Sequence, residues 1–376
     1  MTTARLIYDN PNLNPDLFYA TRFLTVDKYA FFEVNGKKYL LIDTLEYIRA
    51  KKNAKVDKVL LVNDYKENVE IRKEVLKDTT DILDTVFKKL KVKKLEVPES
   101  FPVGLAKELE KRHYKFTIGL SPFFPKRNQK TPADKKLMIN VQRDNYKMFA
   151  LVEGILRESK IKGNRLYYNG EILTSDYIKK AVAIKAIDLH LDISVGPLVI
   201  CGRHGVDIHW TKNHPIEPHQ PIIFDLWPMS RKTHYCGDAT RTFCKGKPSP
   251  ELQRMYDTVK QGQELGIKTI KAGVNAKTVH EKIMKFFESK GYKTGEKDGI
   301  PQGFIHSTGH GIGILTHEYP PFINFKDCIL KEGHVSSVEP GLYYKGIGGV
   351  RIEDLVYVTK TGCEVLSHYP KKLEVI

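Results

Sequence analysis

The sequence predicts an α+β protein with two domains, a smaller α/β domain at the N-terminus and a larger mixed domain after it. The chain has 376 residues, more than a typical single domain. Strand-like and helix-like segments alternate through its first third, as in a sheet covered by helices. A proline-rich polar segment at residues 121–132 follows, so we expect domains over residues 1–130 and 131–376.

The clearest element of the first domain is a β-hairpin formed by residues 29–34 and 37–42. Asn35-Gly36 between the two strands supplies the two positive-φ positions of a type I′ turn. Apolar patterning predicts the further elements in chain order as a helix over 44–52, a strand over 59–62, a helix over 66–90 and a strand over 115–118.

Helices of the second domain are predicted from apolar periodicity and from start signals. Ser249-Pro250 followed by Glu251 is a good helix start, because a serine cap precedes a proline in the first turn. The predicted helices span residues 136–159, 176–190, 250–271 and 276–290. The predicted strands span residues 195–201, 221–226, 238–244, 334–345 and 350–358.

The composition is that of a globular protein, with 41% hydrophobic and 28% charged residues. No apolar run approaches a membrane span, and no secretory signal is visible, so we expect a cytoplasmic protein without a membrane partner. The five cysteines are scattered and form no CxxC pair, which favours reduced thiols. The net charge of +16 is dispersed in short lysine runs without a nucleic-acid-binding motif, so we expect no nucleic-acid partner.

Four acids and one histidine of the second domain stand in conspicuous local contexts. An ionised carboxylate on a strand face is costly to bury unless it is paired or binds a metal. Taken singly, each acid is more often a salt-bridge partner or turn residue, and the histidine more often a core residue. Five such positions in this order favour a metal site instead. The five are Asp225, Asp238, His310, Glu339 and Glu353.

The charges of these five side chains predict which ions they would hold. Two like charges about 4 Å apart repel by roughly 4 kcal/mol at an effective dielectric near 20. Four converging carboxylates therefore need compensation, and two divalent cations would balance them. Oxygen-rich ligation with one imidazole suits manganese, cobalt or iron better than a closed structural zinc site.

Four segments resemble the pita-bread metallopeptidases, the family of aminopeptidase P, Xaa-Pro dipeptidase (prolidase) and methionine aminopeptidase. They are FDLWPMSRKTHYCGDATRTF, FIHSTGHGIGILTHEYP, VEPGLYY and GGVRIED. The resemblance covers nearly the whole chain. It implies a pita-bread catalytic domain over residues 131–376, preceded by a creatinase-type N-terminal domain over residues 1–130. It also implies a homodimer that acts on short peptides.

The resemblance further implies a role for each candidate residue. Asp238 and Glu353 would bridge two metal ions, while Asp225 would bind one ion and His310 and Glu339 the other. The ions would be manganese or cobalt, with iron(II) and zinc as alternatives. The remaining roles are those of Glu339 as general base, His317 and His209 as catalytic histidines flanking the scissile bond, and His306 and Arg351 as substrate-binding residues. We hypothesise that a water bridging the ions attacks the carbonyl before the scissile nitrogen.

The specificity is less well defined than the site. The resemblance implies a preference for the Xaa-Pro bond of dipeptides or short peptides, which rests on the added N-terminal domain and on Arg351 beside Glu353. The alternatives are a methionine aminopeptidase-like enzyme, a metal-free creatinase-like hydrolase and a non-enzymatic pita-bread binding module. Asp225 and Asp238 stand two residues further apart than is usual in the family, with Trp227-Pro228-Met229 after the first aspartate. An even insertion keeps Asp238 on the same strand face but changes the local pocket.

Overall fold

The computed structural model describes residues 2–66, 75–324, 326–366 and 368–375. The chain divides into two compact units, Met1–Arg127 and Asn128–Ile376. This division falls inside the proline-rich segment in which the sequence places a domain boundary after residue 130. Residues 67–74 of the helix predicted over 66–90 lie outside the described residues.

The first unit combines a mixed sheet with helices. Its strands are β1 (Thr2–Asp9), β2 (Tyr29–Val34), β3 (Lys37–Ile42), β4 (Lys58–Leu61), β5 (Val92–Pro98) and β6 (Lys115–Gly119). Its helices are α1 (Pro15–Thr21), α2 (Thr44–Asn53), a 3₁₀ turn at Val62–Tyr65, α3 (Val75–Lys89) and α4 (Val103–Glu110). The strand order is β4-β3-β2-β1-β5-β6.

The β2–β3 hairpin confirms the predicted turn, since Asn35 has φ 50° and Gly36 has φ 76°. Strand side chains alternate between the two faces of the sheet, and each face has its own apolar cluster. Leu6 and Phe32 belong to the cluster that includes residues of α3 and α4. Their chain neighbours Ile7 and Phe31 belong to the cluster that includes residues of α1 and α2. The sheet is therefore covered on both faces.

The second unit carries long helices and several small sheets. Its helices are α5 (Pro132–Glu158), α6 (Ser175–Asp188), α7 (Pro250–Thr269) and α8 (Ala276–Ser289), with a 3₁₀ turn at Gly202–Val206. A further 3₁₀ turn, Pro125–Asn128, lies where the two units join in the chain. Its first strands are β7 (Lys160–Lys162), β8 (Arg165–Tyr168), β9 (Glu171–Ile172), β10 (Leu191–Asp192), β11 (Leu198–Cys201), β12 (Ile222–Leu226), β13 (Met229–Ser230) and β14 (Ala239–Lys245). The remaining strands are β15 (Gly295–Lys297), β16 (Ile300–Gln302), β17 (Gly309–Gly311), β18 (Glu318–Ile323), β19 (Val335–Val338), β20 (Gly341–Tyr344), β21 (Gly348–Arg351), β22 (Asp354–Val358), β23 (Cys363–Val365) and β24 (Glu374–Val375).

The sheets of this unit have the strand orders β11-β12-β14-β24 and β18-β17-β19-β22-β23, with β20-β21 as a separate hairpin. Helix α7 begins as predicted, since Ser249 caps it by accepting a hydrogen bond from the Leu252 N–H, and Pro250 occupies the first turn. Helices α7 and α8 contribute Val259, Ile283 and Phe287 to one apolar cluster of the unit. No helix in the described ranges is long and apolar enough to cross a membrane.

Two strands predicted as continuous are each interrupted, which corrects the sequence analysis. The segment 334–345 is divided into β19 and β20 at Glu339-Pro340, where proline cannot donate a ladder hydrogen bond. The segment 350–358 is divided into β21 and β22 at Ile352-Glu353. Strands β19 and β22 pair with each other, and β20 pairs with β21, so the chain changes sheets at both interruptions. Arg351 and Glu353 therefore do not lie on one strand. The two acids Glu339 and Glu353 each lie at a junction between two sheets.

Candidate metal centre and active site

The hairpin of β12 and β14 positions the two aspartates. Asp225 lies within β12, and its cross-strand partner is Thr240 on β14. Asp238 comes just before β14, and its backbone is held by Gln142 of α5. The Asp238 N–H donates to Gln142 Oε1 at 3.0 Å, and Gln142 Nε2 donates to the Asp238 carbonyl at 2.7 Å. The sequence analysis missed Gln142, whose signal is an amide on the apolar face of a helix.

The glycine-rich segment positions His310 through close packing of backbones. A Cβ atom on Gly309 would lie 2.0 Å from the Ser337 carbonyl oxygen, so only glycine lets β17 approach β19. Ser337 Oγ also accepts a hydrogen bond from the His310 N–H at 2.9 Å. His310 Nδ1 lies 3.2 Å from the Gly311 carbonyl oxygen, which assigns the proton to Nδ1 and leaves the Nε2 lone pair available.

Neighbouring hydroxyl groups orient the two glutamates at the sheet junctions. Ser337 Oγ donates to Glu339 Oε1 at 3.1 Å, and Thr240 Oγ1 donates to Glu353 Oε2 at 2.8 Å. The Glu353 N–H donates to the Thr240 carbonyl at 3.0 Å, so the hairpin that carries the aspartates also holds this glutamate. The other oxygen of Glu353, Oε1, is buried and has no hydrogen-bond partner among the described residues.

The side chains converge on a cavity of about 740 Å³. Asp238, His310 and Glu353 are buried, and each offers a ligand atom within 4.8 Å of the others. His310 Nε2 lies 3.5 Å from Asp238 Oδ2 and 3.3 Å from Glu339 Oε1. The cavity is lined by every residue to which the sequence analysis assigns a role: Asp225, Asp238, His310, Glu339, Glu353, His317, His209, His306 and Arg351. Those roles stay predictions.

The balance of charge in the cavity shows what the cluster lacks. Burial, followed by the neighbouring carboxylates, raises the pKa of Asp238 and of Glu353 well above their ordinary values. Burial raises the pKa of Glu339 to about 8, against the lowering effect of Arg351. Burial and then His317 lower the pKa of His310 to about 4, so its imidazole is neutral at pH 7. More positive charge is needed here than the nearby side chains provide.

The donor set therefore fits divalent cations. Carboxylate oxygens and one neutral imidazole are ligands for such ions, and an unpartnered buried oxygen is costly without one. The partnerless Oε1 of Glu353 is the observation that most directly fits a metal ion. Arg351 does not replace an ion at this point, because its Nη2 donates to Asp225 Oδ2 at 2.6 Å.

A hydrogen-bonded chain runs along one side of the cavity from Arg351 to His306. Arg351 Nη1 donates to the Tyr343 hydroxyl at 2.8 Å, and that oxygen lies 2.8 Å from His306 Nε2. His306 Nδ1 faces the Ser307 carbonyl oxygen at 2.8 Å, which assigns its proton to Nδ1 and makes Nε2 the acceptor from Tyr343. Burial lowers the pKa of His306 to about 3. The sequence analysis missed Tyr343, although VEPGLYY contains it.

The other two histidines are exposed residues of the cavity. The ring of His317 lies across that of His310, with centroids 4.3 Å apart and planes at 67°. His209 comes after the 3₁₀ turn Gly202–Val206, and its backbone N–H donates to Asp207 Oδ1 at 3.1 Å. Both rings line the same cavity as the carboxylates. They are placed where they can contact a bound molecule.

Comparison with known proteins agrees with this arrangement. A family model described as metallopeptidase family M24 matches residues 167–360. An uncharacterised peptidase of Staphylococcus aureus is 34% identical over 206 residues, covering 52% of this chain and 56% of that relative. The match therefore spans little more than half the length of the curated relative.

Solved structures show likeness over almost the whole chain. An X-Pro aminopeptidase from Thermotoga maritima has a TM-score of 0.81 at 22% identity, covering 99% of this chain and 97% of that one. A Xaa-Pro dipeptidase from Bacillus anthracis has a TM-score of 0.79 at 22% identity, with coverage of 99% and 94%. A prolidase from Pyrococcus furiosus has a TM-score of 0.74 at 22% identity, with coverage of 98% and 97%.

Likeness at this level of identity concerns the fold. It confirms the α+β class and the pita-bread fold that the sequence segments predict. The family resemblance is confirmed by the matching family model, which covers residues 167–360 and so includes the acids and histidines of the cavity. The chain belongs to metallopeptidase family M24.

Proposed function

We propose that this protein is a peptidase that uses two divalent metal ions to hydrolyse the Xaa-Pro bond of dipeptides or other short peptides. The observation that carries the proposal is the buried group of Asp238, His310 and Glu353, with ligand atoms within 4.8 Å of one another. Asp225 and Glu339 line the same cavity and supply two further carboxylates. Membership of the metallopeptidase family supports the same conclusion.

The ligand types support manganese or cobalt as the ions, with iron(II) and zinc as alternatives. Asp238 and Glu353 would contact both ions, Asp225 one ion, and His310 and Glu339 the other. Four carboxylates would balance two divalent charges. When bound, the ions supply Lewis acidity that polarises the peptide carbonyl and lowers the pKa of water.

The protein's own groups would position the peptide and transfer the proton. Glu339 lies 3.3 Å from His310 Nε2 and is 16% exposed, so it can reach both the cluster and the cavity. It would accept a proton from the attacking water and pass it to the leaving nitrogen. His317 and His209, which are exposed in the cavity, would donate hydrogen bonds to the substrate. Arg351 and His306 would contact the substrate from the other side.

The cavity and the solved relatives support the substrate class. A volume of about 740 Å³ is typical of sites for small ligands, which suits a peptide of two or three residues. The relatives of known structure are described as X-Pro aminopeptidase, Xaa-Pro dipeptidase and prolidase. The family resemblance adds a homodimer to the proposal, and the scattered cysteines without a CxxC pair add a cytoplasmic location. Light scattering tests the first, and cell fractionation tests the second.

A peptide panel tests the proposal. Xaa-Pro dipeptides and Xaa-Pro-Yaa tripeptides are incubated with the purified protein and manganese or cobalt, with and without a chelator. We expect metal-dependent hydrolysis before proline, its loss in Glu339→Ala, and its retention in Glu364→Ala, an exposed glutamate paired with Lys135. Elemental analysis should find two metal ions per chain.

Each alternative gives a different result when peptides with N-terminal methionine and creatine are added to the panel. Release of N-terminal methionine without cleavage of any proline peptide would favour the methionine aminopeptidase-like enzyme. Hydrolysis of creatine without a bound metal would favour the creatinase-like enzyme. Absence of metal and of turnover would favour the binding module.

A further inference from the structure

A buried ion pair lies one residue away from the lining of the cavity. The Lys130 ammonium pairs with the Glu318 carboxylate, and the two side chains are only 2% and 1% exposed. The pair connects two segments that are 188 residues apart in the chain. Neither residue has a role in the proposed hydrolysis, but Glu318 directly follows the cavity residue His317.

Lys130 is held in place by contacts of its own backbone. Its N–H donates to the Gly333 carbonyl at 2.7 Å, and its carbonyl accepts from the Tyr357 hydroxyl at 3.0 Å. Tyr357 belongs to β22, and Thr131, the next residue after Lys130, caps helix α5. The position of Lys130 is therefore fixed, so its ammonium can hold a second segment in place.

Glu318 is the first residue of β18 and ends the connection from β17. We call this connection, residues 312–317, the His317 loop. Glu318 Oε2 accepts a hydrogen bond from the Leu315 N–H at 3.4 Å. A Cβ atom on Gly313 would lie 2.6 Å from Cε of the paired lysine. The ion pair therefore packs directly against the backbone of the loop.

A pair buried to this degree constrains position more than it stabilises the fold. The cost of removing both charges from water can exceed their attraction, so an apolar pair of similar volume is often equally stable. The attraction is favourable only when the geometry of the pair is good. This constraint falls on the residue next to His317, whose ring lines the cavity with its centroid 4.3 Å from that of His310.

We propose that Lys130 and Glu318 are positioning residues, and that their ion pair fixes the His317 loop so that the His317 side chain can contact the bound peptide. This inference rests on the proposed function, in which His317 donates a hydrogen bond to the substrate. The link is short, because the Cα atoms of His317 and Glu318 are about 3.8 Å apart across one peptide unit. A displacement of about 1 Å at a reacting site can cost about 100-fold in rate.

Kinetics of Lys130→Met test the inference. We expect kcat/KM for Leu-Pro with manganese to fall by about 10- to 100-fold, mainly through kcat, because His317 would act on charge that develops in the transition state. In a His317→Ala background the same substitution should cause no further loss, because the group that it displaces is absent. An equal loss in both backgrounds would overturn the inference. Lys135→Met breaks an exposed pair with Glu364 and should change neither kcat nor KM.

Two measurements separate positioning from loss of metal and from loss of stability. Manganese titration should give the same affinity in Lys130→Met as in the unsubstituted protein, and a loss of affinity that matches the loss of activity would overturn the inference. Lys130→Met also leaves a buried carboxylate without its partner, which can unfold the chain. The double variant Lys130→Met/Glu318→Gln removes both charges and should melt close to the unsubstituted protein. It should still lose about ten-fold or more in kcat/KM, and full activity would overturn the inference.

Hydrogen exchange decides the inference if no peptide is hydrolysed, a result that would overturn the proposed function. In the double variant the amides of the His317 loop should exchange about ten-fold faster or more, while those of α6 stay unchanged. Lys135→Met should leave both sets of amides unchanged. Unchanged exchange of the His317 loop in the double variant, or faster exchange throughout the chain, would overturn the positioning role.

Discussion

Glu353 and Asp354 are adjacent in the chain and both almost fully buried, yet their surroundings are opposite. Glu353 lies among carboxylates, and burial followed by Asp238 raises its pKa well above the ordinary value. Asp354 lies among cations and hydrogen-bond donors. Burial by itself would raise its pKa, but Arg241 and Lys371 outweigh that effect and lower it.

The contacts explain the difference. Arg241 Nη2 donates to Asp354 Oδ1 at 2.7 Å, and Lys371 Nζ lies 2.6 Å from Asp354 Oδ2. Gln263 donates to the same oxygen at 3.0 Å. The Asp354 cluster is thus satisfied by the protein, whereas the Glu353 cluster needs positive charge from outside. Burial of acids therefore does not distinguish a structural ion pair from a metal site, but uncompensated burial does.

Arg241 also links the two clusters. Its Nη1 donates to the carbonyls of Thr240 and Glu353, so this buried guanidinium fixes two backbone segments that carry the Glu353 cluster. The sequence analysis quoted Arg241 within DATRTF but assigned it no role. Its signal was an arginine in the middle of a predicted strand, where a charge that becomes buried needs a partner.

The largest effect is expected from a substitution in the Glu353 cluster. Asp238→Asn keeps the shape of the side chain but removes a ligand charge, so hydrolysis of Leu-Pro with manganese should fall by about a thousand-fold or more, roughly 4 kcal/mol. In chelator the same variant should unfold at an equal or higher temperature, because one repelling carboxylate is gone. Asp188→Asn, an exposed control, should change neither quantity. Retained activity in Asp238→Asn would contradict the metal assignment.

The second-largest effect is expected from a substitution in the Asp354 cluster. Asp354→Asn leaves Arg241 and Lys371 without their carboxylate, and losing one partner of a buried ion pair typically costs about 3–5 kcal/mol. Calorimetry in chelator should show a marked fall in the melting temperature, opposite to the result for Asp238→Asn. Lys371→Met, which preserves the Arg241–Asp354 pair, should give a smaller fall in the same direction. Unchanged melting temperatures in both variants would contradict the proposed difference between the Asp354 and Glu353 clusters.

A pH series sharpens the comparison. The pKa of Glu339 is about 8 in the folded metal-free protein and 4.5 ordinarily, so the folded state binds more protons between these values and stability falls as pH rises. His310 has the opposite effect, but only between about 4 and its ordinary 6.5. From pH 6.5 to 8 the metal-free protein should therefore lose about 1–2 kcal/mol through Glu339.

Bound manganese should oppose this loss, because it stabilises the ionised carboxylate. The stabilisation by manganese, measured as the difference in melting temperature with and without chelator, should therefore grow from pH 6.5 to 8. Glu339→Gln serves as the control, since it cannot titrate and should show a smaller pH dependence. A manganese effect that shrinks as pH rises would argue against uncompensated carboxylates.

The smallest expected effect concerns the hydroxyl that orients Glu353. Thr240→Val removes the 2.8 Å hydrogen bond to Glu353 Oε2, and loss of such a partner typically lowers metal affinity by about 10- to 100-fold. We expect the manganese affinity to fall by about 10-fold, the lower end of this range, as measured by manganese titration. Thr242→Val is a matched control, because the Thr242 hydroxyl bonds to the Arg351 backbone and, among the residues that the structure describes, to no carboxylate. Equal losses in both variants would show a general packing effect.

Much of the fold could be predicted from local patterns. The β2–β3 hairpin followed from Asn35-Gly36, and the start of α7 followed from Ser249-Pro250, because these signals act within a few residues. The interruptions at Glu339 and Glu353 were missed. They arise because β19 pairs with β22 while β20 and β21 pair with each other between them, and alternation within one segment does not reveal this pairing.

By itself, the sequence determined the family, the α+β class and the set of acids and histidines that line one cavity, because short motifs specify both the backbone turns and the residue types. Tertiary structure decided which buried acids have their charge compensated by other side chains and which do not. Glu353 and Asp354 are adjacent acids in the chain, and only long-range contacts place carboxylates around Glu353 and the cations Arg241 and Lys371 around Asp354. Charge compensation depends on distances across the fold, and such distances are set when the sheets assemble.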